Sequence, residues 1–166
     1  PHRPDGGYPH KNLSGVGVAF KLCCALCGDS EEVLSMYGDL VAIGTIGDVV
    51  SLTGENRTLV KEGLRLINSD NNLGVSGLRR VAGTDEKSLS AGTVAFSLVP
   101  RINAIGRTAH ANAALRLLMS EDCDESAEIS GIVNSANVER QALEKEIYSQ
   151  ALTQISENPS LLNNRV

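Results

Sequence analysis

The sequence predicts an α/β fold in which part of a parallel sheet is followed by one long connecting helix. Leu40–Leu52 carries the main evidence, because Val and Ile recur there without alternation, as in a strand buried on both faces. A second short run, Thr93–Val99, predicts a strand or a tight turn of helix that stops at Pro100. Segments with helical periodicity separate these runs, and such alternation is typical of α/β domains.

Composition limits the functions that the chain can have. Its 166 residues, of which 42% are apolar, are enough for one packed domain, and its net charge is −5. Aromatic residues make up only 3%, which disfavours a module that binds single strands mainly by stacking bases. No apolar run approaches the roughly 18 residues that cross a bilayer, so we expect no membrane association.

The cysteines indicate a compartment. Cys23, Cys24 and Cys27 fall within five residues of a predicted helix, and no second pair has zinc-like spacing. We therefore expect small buried thiols at a helix interface, in a reduced, cytoplasmic protein.

The helices are marked by their ends and by apolar periodicity. Ser14 is suited to cap the first helix and Gly28 to end it. Within that helix, Gly15 and Gly17 form only half of a dinucleotide fingerprint, so close helix packing is the better interpretation. Before it, residues 1–12 are rich in Pro and Gly and predict a loop left by a truncated N-terminal region. The predicted helices are Ser14–Gly28, Thr53–Asn68, Val75–Ala82, Ala109–Met119 and one from Ser126 to about Glu157.

Candidate functional residues fall in two places. Asp48 lies toward the carboxyl end of the predicted strand, and the carboxyl ends of strands are where α/β sheets build their sites. The composition of Arg101–Arg107 predicts an irregular segment beside Pro100 and Gly106. Arg101, Asn103 and Arg107 lie in it, and arginine forks suit phosphate oxygens. Residues 55–107 hold eight Lys/Arg and five Asp/Glu, a local net charge of +3. The pattern suggests metal-assisted phosphate chemistry, but one Asp cannot hold an ion alone. A surface loop with solvated arginines is an equal alternative for the segment that contains Arg101 and Arg107.

Three segments in order carry a family resemblance. Leu13–Leu22, Asp39–Leu64 and Pro100–Arg107 resemble the RecJ-type single-stranded-DNA exonucleases of the DHH phosphoesterase superfamily. The resemblance implies 5′-to-3′ hydrolysis of single-stranded DNA to 5′-mononucleotides, with Mn²⁺ or Mg²⁺, in DNA repair and recombination. It makes Asp48 a catalytic metal ligand and Arg107 a contact for the 5′ phosphate, with Arg101 and Asn103 as further phosphate-binding candidates.

Departures from the family pattern suggest a fragment. The Asp-His-His motif, the earlier Asp motifs and the glycine-rich second domain are absent, and Gly47 and Ser51 replace the expected Ala and Pro. The resemblance therefore divides the chain into a loop (1–12), the C-terminal half of a DHH-type domain (13–125), an interdomain helix (126–158) and a tail (159–166). We expect the chain alone to be inactive.

Other functions remain open at this point. The expected partners are single-stranded DNA and, for the full-length protein, a single-strand-binding protein or a helicase. The alternatives are a phosphoesterase for short oligonucleotides, a non-catalytic DHH-fold replication scaffold and an unrelated α/β domain with a cofactor pocket.

Overall fold

The computed structural model describes residues 3, 5–106 and 111–163, and over these ranges the chain contains helices and no strand. The helix Ala91–Thr93 runs through a π-helical turn (Val94–Leu98) directly into the helix Val99–Ile105. The helices are α1 (Gly15–Cys27), α2 (Ser30–Gly47), α3 (Gly54–Ile67), α4 (Leu73–Val81), α5 (Ala91–Thr93), α6 (Val99–Ile105), α7 (Ala111–Leu118) and α8 (Cys123–Glu157), followed by a 3-10 turn (Pro159–Asn163).

The predicted strand Leu40–Leu52 is wrong, because most of this segment forms the second half of α2. The helix begins at the Asp29 cap, whose carboxylate accepts bonds from the Glu31 and Glu32 N–H groups, and these two residues make its first turn acidic. α1, α3 and the π-helical turn all contact α2. Since α2 is covered on several sides, its apolar run lacks periodicity and resembles a buried strand.

The segment around Pro100 is also helical. Thr93–Val99, for which the sequence allows strand or helix, forms helix, and Arg101–Ile105, predicted to be irregular, belongs to α6. Pro100 lies in the first turn of α6, where a missing N–H is tolerated. The partial parallel sheet of the sequence prediction is therefore not found in the described residues.

Two apolar clusters hold the helices together. The larger one joins α2, α3, α4, α6, α7 and the first half of α8, and the smaller one joins α1, α2 and α3. α2 and α3 cross at Gly63, where an added Cβ would lie 2.1 Å from the Gly38 carbonyl oxygen. At a second crossing, Gly77 of α4 faces the hydroxyl groups of Ser126 and Ser130 on α8.

The long helix α8 is packed over its first half only. Asp122 caps it by accepting a bond of 2.8 Å from the Glu125 N–H, and its buried residues end at Asn137. From Val138 to Gln154 every residue is exposed. At about 1.5 Å per residue the helix is roughly 50 Å long, so its second half extends away from the core.

None of the described helices is both long and apolar enough to span a bilayer. The expectation of buried thiols is wrong for Cys23 and Cys27, which are exposed, while Cys24 is half-buried. α1 buries only its Gly17 and Phe20 face, so the cysteines four residues apart lie on its open side.

Candidate active site

Asp48 ends α2 and lies at the mouth of a cleft. Its backbone N–H bonds to the Gly44 carbonyl at 3.0 Å, and its side chain is exposed. Val49 follows with φ +57°, an uncommon conformation for a β-branched residue, and turns the chain away from the helix. The structure thus places Asp48 at the end of a helix and not, as predicted, at the end of a strand.

The position of Asp48 favours a cation. Its carboxylate is at the C-terminal end of α2, where the helix dipole is negative, and the last turn has no basic residue. The negative potential of the dipole adds to the charge of the carboxylate. A cation bound there would offset both the negative potential of the dipole and the negative charge of the carboxylate.

The cleft, with a volume of about 390 Å³, lies where three helices meet. Glycines allow the approach: an added Cβ on Gly44 would lie 2.8 Å from Val16 of α1, and one on Gly47 would lie 3.2 Å from Val99 of α6. The lining residues are Gly15 and Val16 from α1, Ile43, Gly44, Gly47 and Asp48 from the end of α2, and Val99, Ile102 and Asn103 from α6.

A buried pair of hydroxyl groups fixes α1 against α2 beside the cleft. Ser14 caps α1 by accepting a bond from the Gly17 N–H at 3.1 Å, as predicted. Its hydroxyl also lies 2.8 Å from that of Thr45 on α2. Both residues are fully buried, so the first turn of α1 keeps a fixed position relative to Asp48.

The structure brings together only some of the predicted site residues. Asn103 and Asp48 line the same cleft. Arg107 lies outside the described residues. Arg101 is on the other side of α6, where it donates to Asn134 Oδ1 (3.0 Å) and to two backbone carbonyls. Burial lowers the pKa of its guanidinium. To bind phosphate, Arg101 would have to give up part of this network.

A groove that was not predicted from the sequence continues from the cleft. Its volume is about 670 Å³, and it shares Gly47, Val99 and Asn103 with the cleft. Phe96 and Val49 line it and are 86% and 88% exposed. The available signal for this groove in the sequence was Phe96, one of only two phenylalanines, which lies close to Pro100.

The described residues do not form a complete metal site. They contain no group of three or more His, Cys, Asp or Glu side chains placed to hold an ion. Asp48 offers one carboxylate, a suitable ligand for Mn²⁺ or Mg²⁺. The other ligands of such an ion would have to come from outside the described part of the chain.

Comparison with known proteins gives a consistent result. No family model matches the chain. It is 41% identical over 157 residues to the single-stranded-DNA-specific exonuclease RecJ of Bacillus subtilis, covering 95% of this chain and 20% of that protein. It is 33% identical to the RecJ of Escherichia coli, covering 92% of this chain and 29% of that protein.

Solved structures agree with this relationship. A crystal structure of RecJ from Thermus thermophilus in complex with Mn²⁺ is 40% identical, with a TM-score of 0.76 over 91% of this chain and 22% of that one. The chain matches one segment of RecJ. A RecJ structure from the same organism with Mg²⁺ has a TM-score of 0.74 at 39% identity, covering 89% of this chain and 23% of that one.

The match to RecJ confirms the resemblance and limits what it shows. The chain spans between a fifth and a third of the length of the curated RecJ proteins described above. Those RecJ structures contain Mn²⁺ or Mg²⁺, and they support the DHH-type fold without supporting a sheet within the described residues. The roles of Asp48, Arg101, Asn103 and Arg107 and the proposed domain boundaries stay predictions.

Proposed function

We propose that this chain is a segment of a metal-dependent exonuclease that hydrolyses single-stranded DNA from the 5′ end to 5′-mononucleotides. The observation that carries the proposal is the cleft shared by Asp48 and Asn103, in a chain that resembles RecJ over almost its whole length. A role in DNA repair and recombination, a cytoplasmic location and a single-strand-binding or helicase partner belong to the same proposal.

Three candidate residues have distinct parts in this proposal. Asp48 contributes one carboxylate to a divalent ion whose other ligands lie outside the described residues. A bound ion of this kind supplies Lewis-acid chemistry for phosphoryl transfer. Asn103 is exposed at the cleft, where its amide N–H groups can donate to a phosphate oxygen. Arg107, four residues further on, is proposed to bind the terminal phosphate with its guanidinium fork.

The proposal is tested with Asp48→Asn in the complete gene product. Asparagine keeps the shape of the side chain but removes the charge, so we expect at least a roughly 100-fold loss of Mn²⁺-dependent cleavage of a 5′-labelled single strand. Binding of the single strand should persist. Asp85→Asn, at another exposed acidic residue, is the control and should cleave like the wild type.

Two results would contradict the proposal. Unchanged cleavage by Asp48→Asn would reject this residue as a metal ligand, and a wild-type protein that binds single strands without cleaving them would favour the scaffold alternative. A second experiment uses the 166-residue chain by itself. Because its described residues hold one candidate ligand and not a complete set, we expect no Mn²⁺-dependent degradation.

A further inference from the structure

Arg101 connects three elements behind the cleft. Its Nε–H donates to Asn134 Oδ1 on α8 at 3.0 Å. Its Nη1–H groups donate to the Ser97 carbonyl in the π-helical turn at 2.5 Å, and its Nη2–H groups to the Val81 carbonyl at the end of α4 at 3.4 Å. All three guanidinium nitrogens are therefore engaged within the protein.

These bonds lie on the opposite side of α6 from the cleft. Val99, Ile102 and Asn103 are separated by three and four residues, so they share one helix face, and all three line the cleft. Arg101 is two residues from both Val99 and Asn103, which places it about 200° around the helix from each. α6 is thus held between α2 on its cleft side and α8 on its Arg101 side.

The helix needs such an anchor at this point. The turn before α6 is π-helical, and Pro100 has no N–H to donate to it. The Arg101 side chain supplies a donor to that turn at Ser97. On the other face, Val99 packs against Gly47, the residue before Asp48. A shift at the Arg101 anchor would move α6 relative to the end of α2.

We propose that Arg101 is a positioning residue, which keeps Asn103 in register with Asp48 by binding Asn134, and does not itself bind phosphate. The inference rests on the proposed exonuclease function. It differs from the sequence-based expectation, in which Arg101 binds a phosphate. Lysine cannot replace arginine here, since one ammonium group cannot reach three acceptors that lie in different directions.

The test compares four variants of the complete gene product on a 5′-labelled single strand with Mn²⁺. Arg101→Lys and Asn134→Ala should each lower kcat at least about tenfold and leave KM within about threefold, because misplacing a reacting group by 1 Å can cost on the order of 100-fold. Asn134→Asp should restore kcat, since its carboxylate accepts the same Nε–H bond. Ser135→Ala, at the exposed neighbouring position of α8, should match the wild type.

The double variant supplies a further readout. If Arg101 and Asn134 act through one contact, Arg101→Lys combined with Asn134→Ala should lower kcat no more than the more damaging single variant. Circular dichroism should show that each variant is folded at the assay temperature. Asn134→Ala does not touch the cleft, so it tests the inference even if the Arg101 variant fails to fold.

The alternatives give different results. If Arg101 binds phosphate, Arg101→Lys should raise KM and Asn134→Ala should be silent, which overturns the inference. Folded variants that lose thermal stability but keep kcat would show a purely structural role and overturn it as well. In both cases the wild type still cleaves DNA and the proposed function stands, whereas an inactive wild type overturns the proposed function and this inference together.

Discussion

Replacing Gly63 with alanine should destabilise the chain although alanine is the better helix former. Gly63 lies inside α3 at its crossing with α2. An added Cβ would be 2.1 Å from the Gly38 carbonyl oxygen and 2.3 Å from the Ala42 Cβ, while real Cβ contacts stay beyond 3.0 Å. Because the nearest obstacle is backbone, relief requires the two helices to separate by about 0.9 Å.

The expected magnitude follows from two opposing effects. Alanine gains up to about 1 kcal/mol over glycine in a helix interior. Overpacking costs about 1–3 kcal/mol and occasionally more, and opening this crossing also loosens the buried Leu59, Val60 and Leu66 that pack around it. Because the obstacle is backbone, we take the upper end of the overpacking cost and expect a net loss of about 2 kcal/mol in the free energy of unfolding. This is equivalent to about 4–8 °C in Tm for a chain of this size.

Gly131→Ala is the matched control, and urea denaturation followed by circular dichroism is the assay. Gly131 is exposed inside α8, and an added Cβ there meets nothing within 4 Å. The same substitution should therefore stabilise the chain by up to about 1 kcal/mol. If Gly63→Ala and Gly131→Ala change the free energy of unfolding equally, the close crossing of α2 and α3 is refuted.

Stability should also depend on two polar networks. Burial raises the pKa of Glu55, but bonds from Lys21 and Tyr8 outweigh it and the net pKa lies below the ordinary 4.5. The contribution of Glu55 to the free energy of unfolding should be complete above pH 4.5 and lost as the pH falls through the folded-state pKa. Glu55→Gln should therefore flatten the dependence of Tm on pH in that acidic range. Arg79 is 3% exposed and donates to three backbone carbonyls. Arg79→Met should lower the free energy of unfolding by about 2–4 kcal/mol in urea denaturation. Arg80→Met, at the exposed neighbouring position, should lower it by under about 0.5 kcal/mol. Equal losses would contradict a stabilising role for the hydrogen bonds of Arg79.

Local signals in the sequence predicted both ends of the first helix. The Ser14 cap and the Gly28 stop with φ +81° are both found. These features depend on neighbours within four residues, so they can be recognised without knowing the fold. The position of Asp48 at the end of an apolar element was also predictable, although the type of element was not.

The prediction of a strand at Leu40–Leu52 failed because burial removes the periodicity that distinguishes a helix from a strand. α2 is covered by α1, α3 and the π-helical turn, so its polar positions are few and their spacing carries little information. The Asp29 cap and the two glutamates after it were the remaining signal for a helix.

The sequence by itself determined the family resemblance, the ends of the first helix and the candidate residues Asp48 and Asn103. Only the tertiary structure separated Arg101 from these two. Its partners Asn134 and Val81 are 33 and 20 residues away along the chain, and no local pattern specifies contacts of that separation. An arginine that binds phosphate and one that binds a neighbouring helix look the same in sequence, because both need the same guanidinium group.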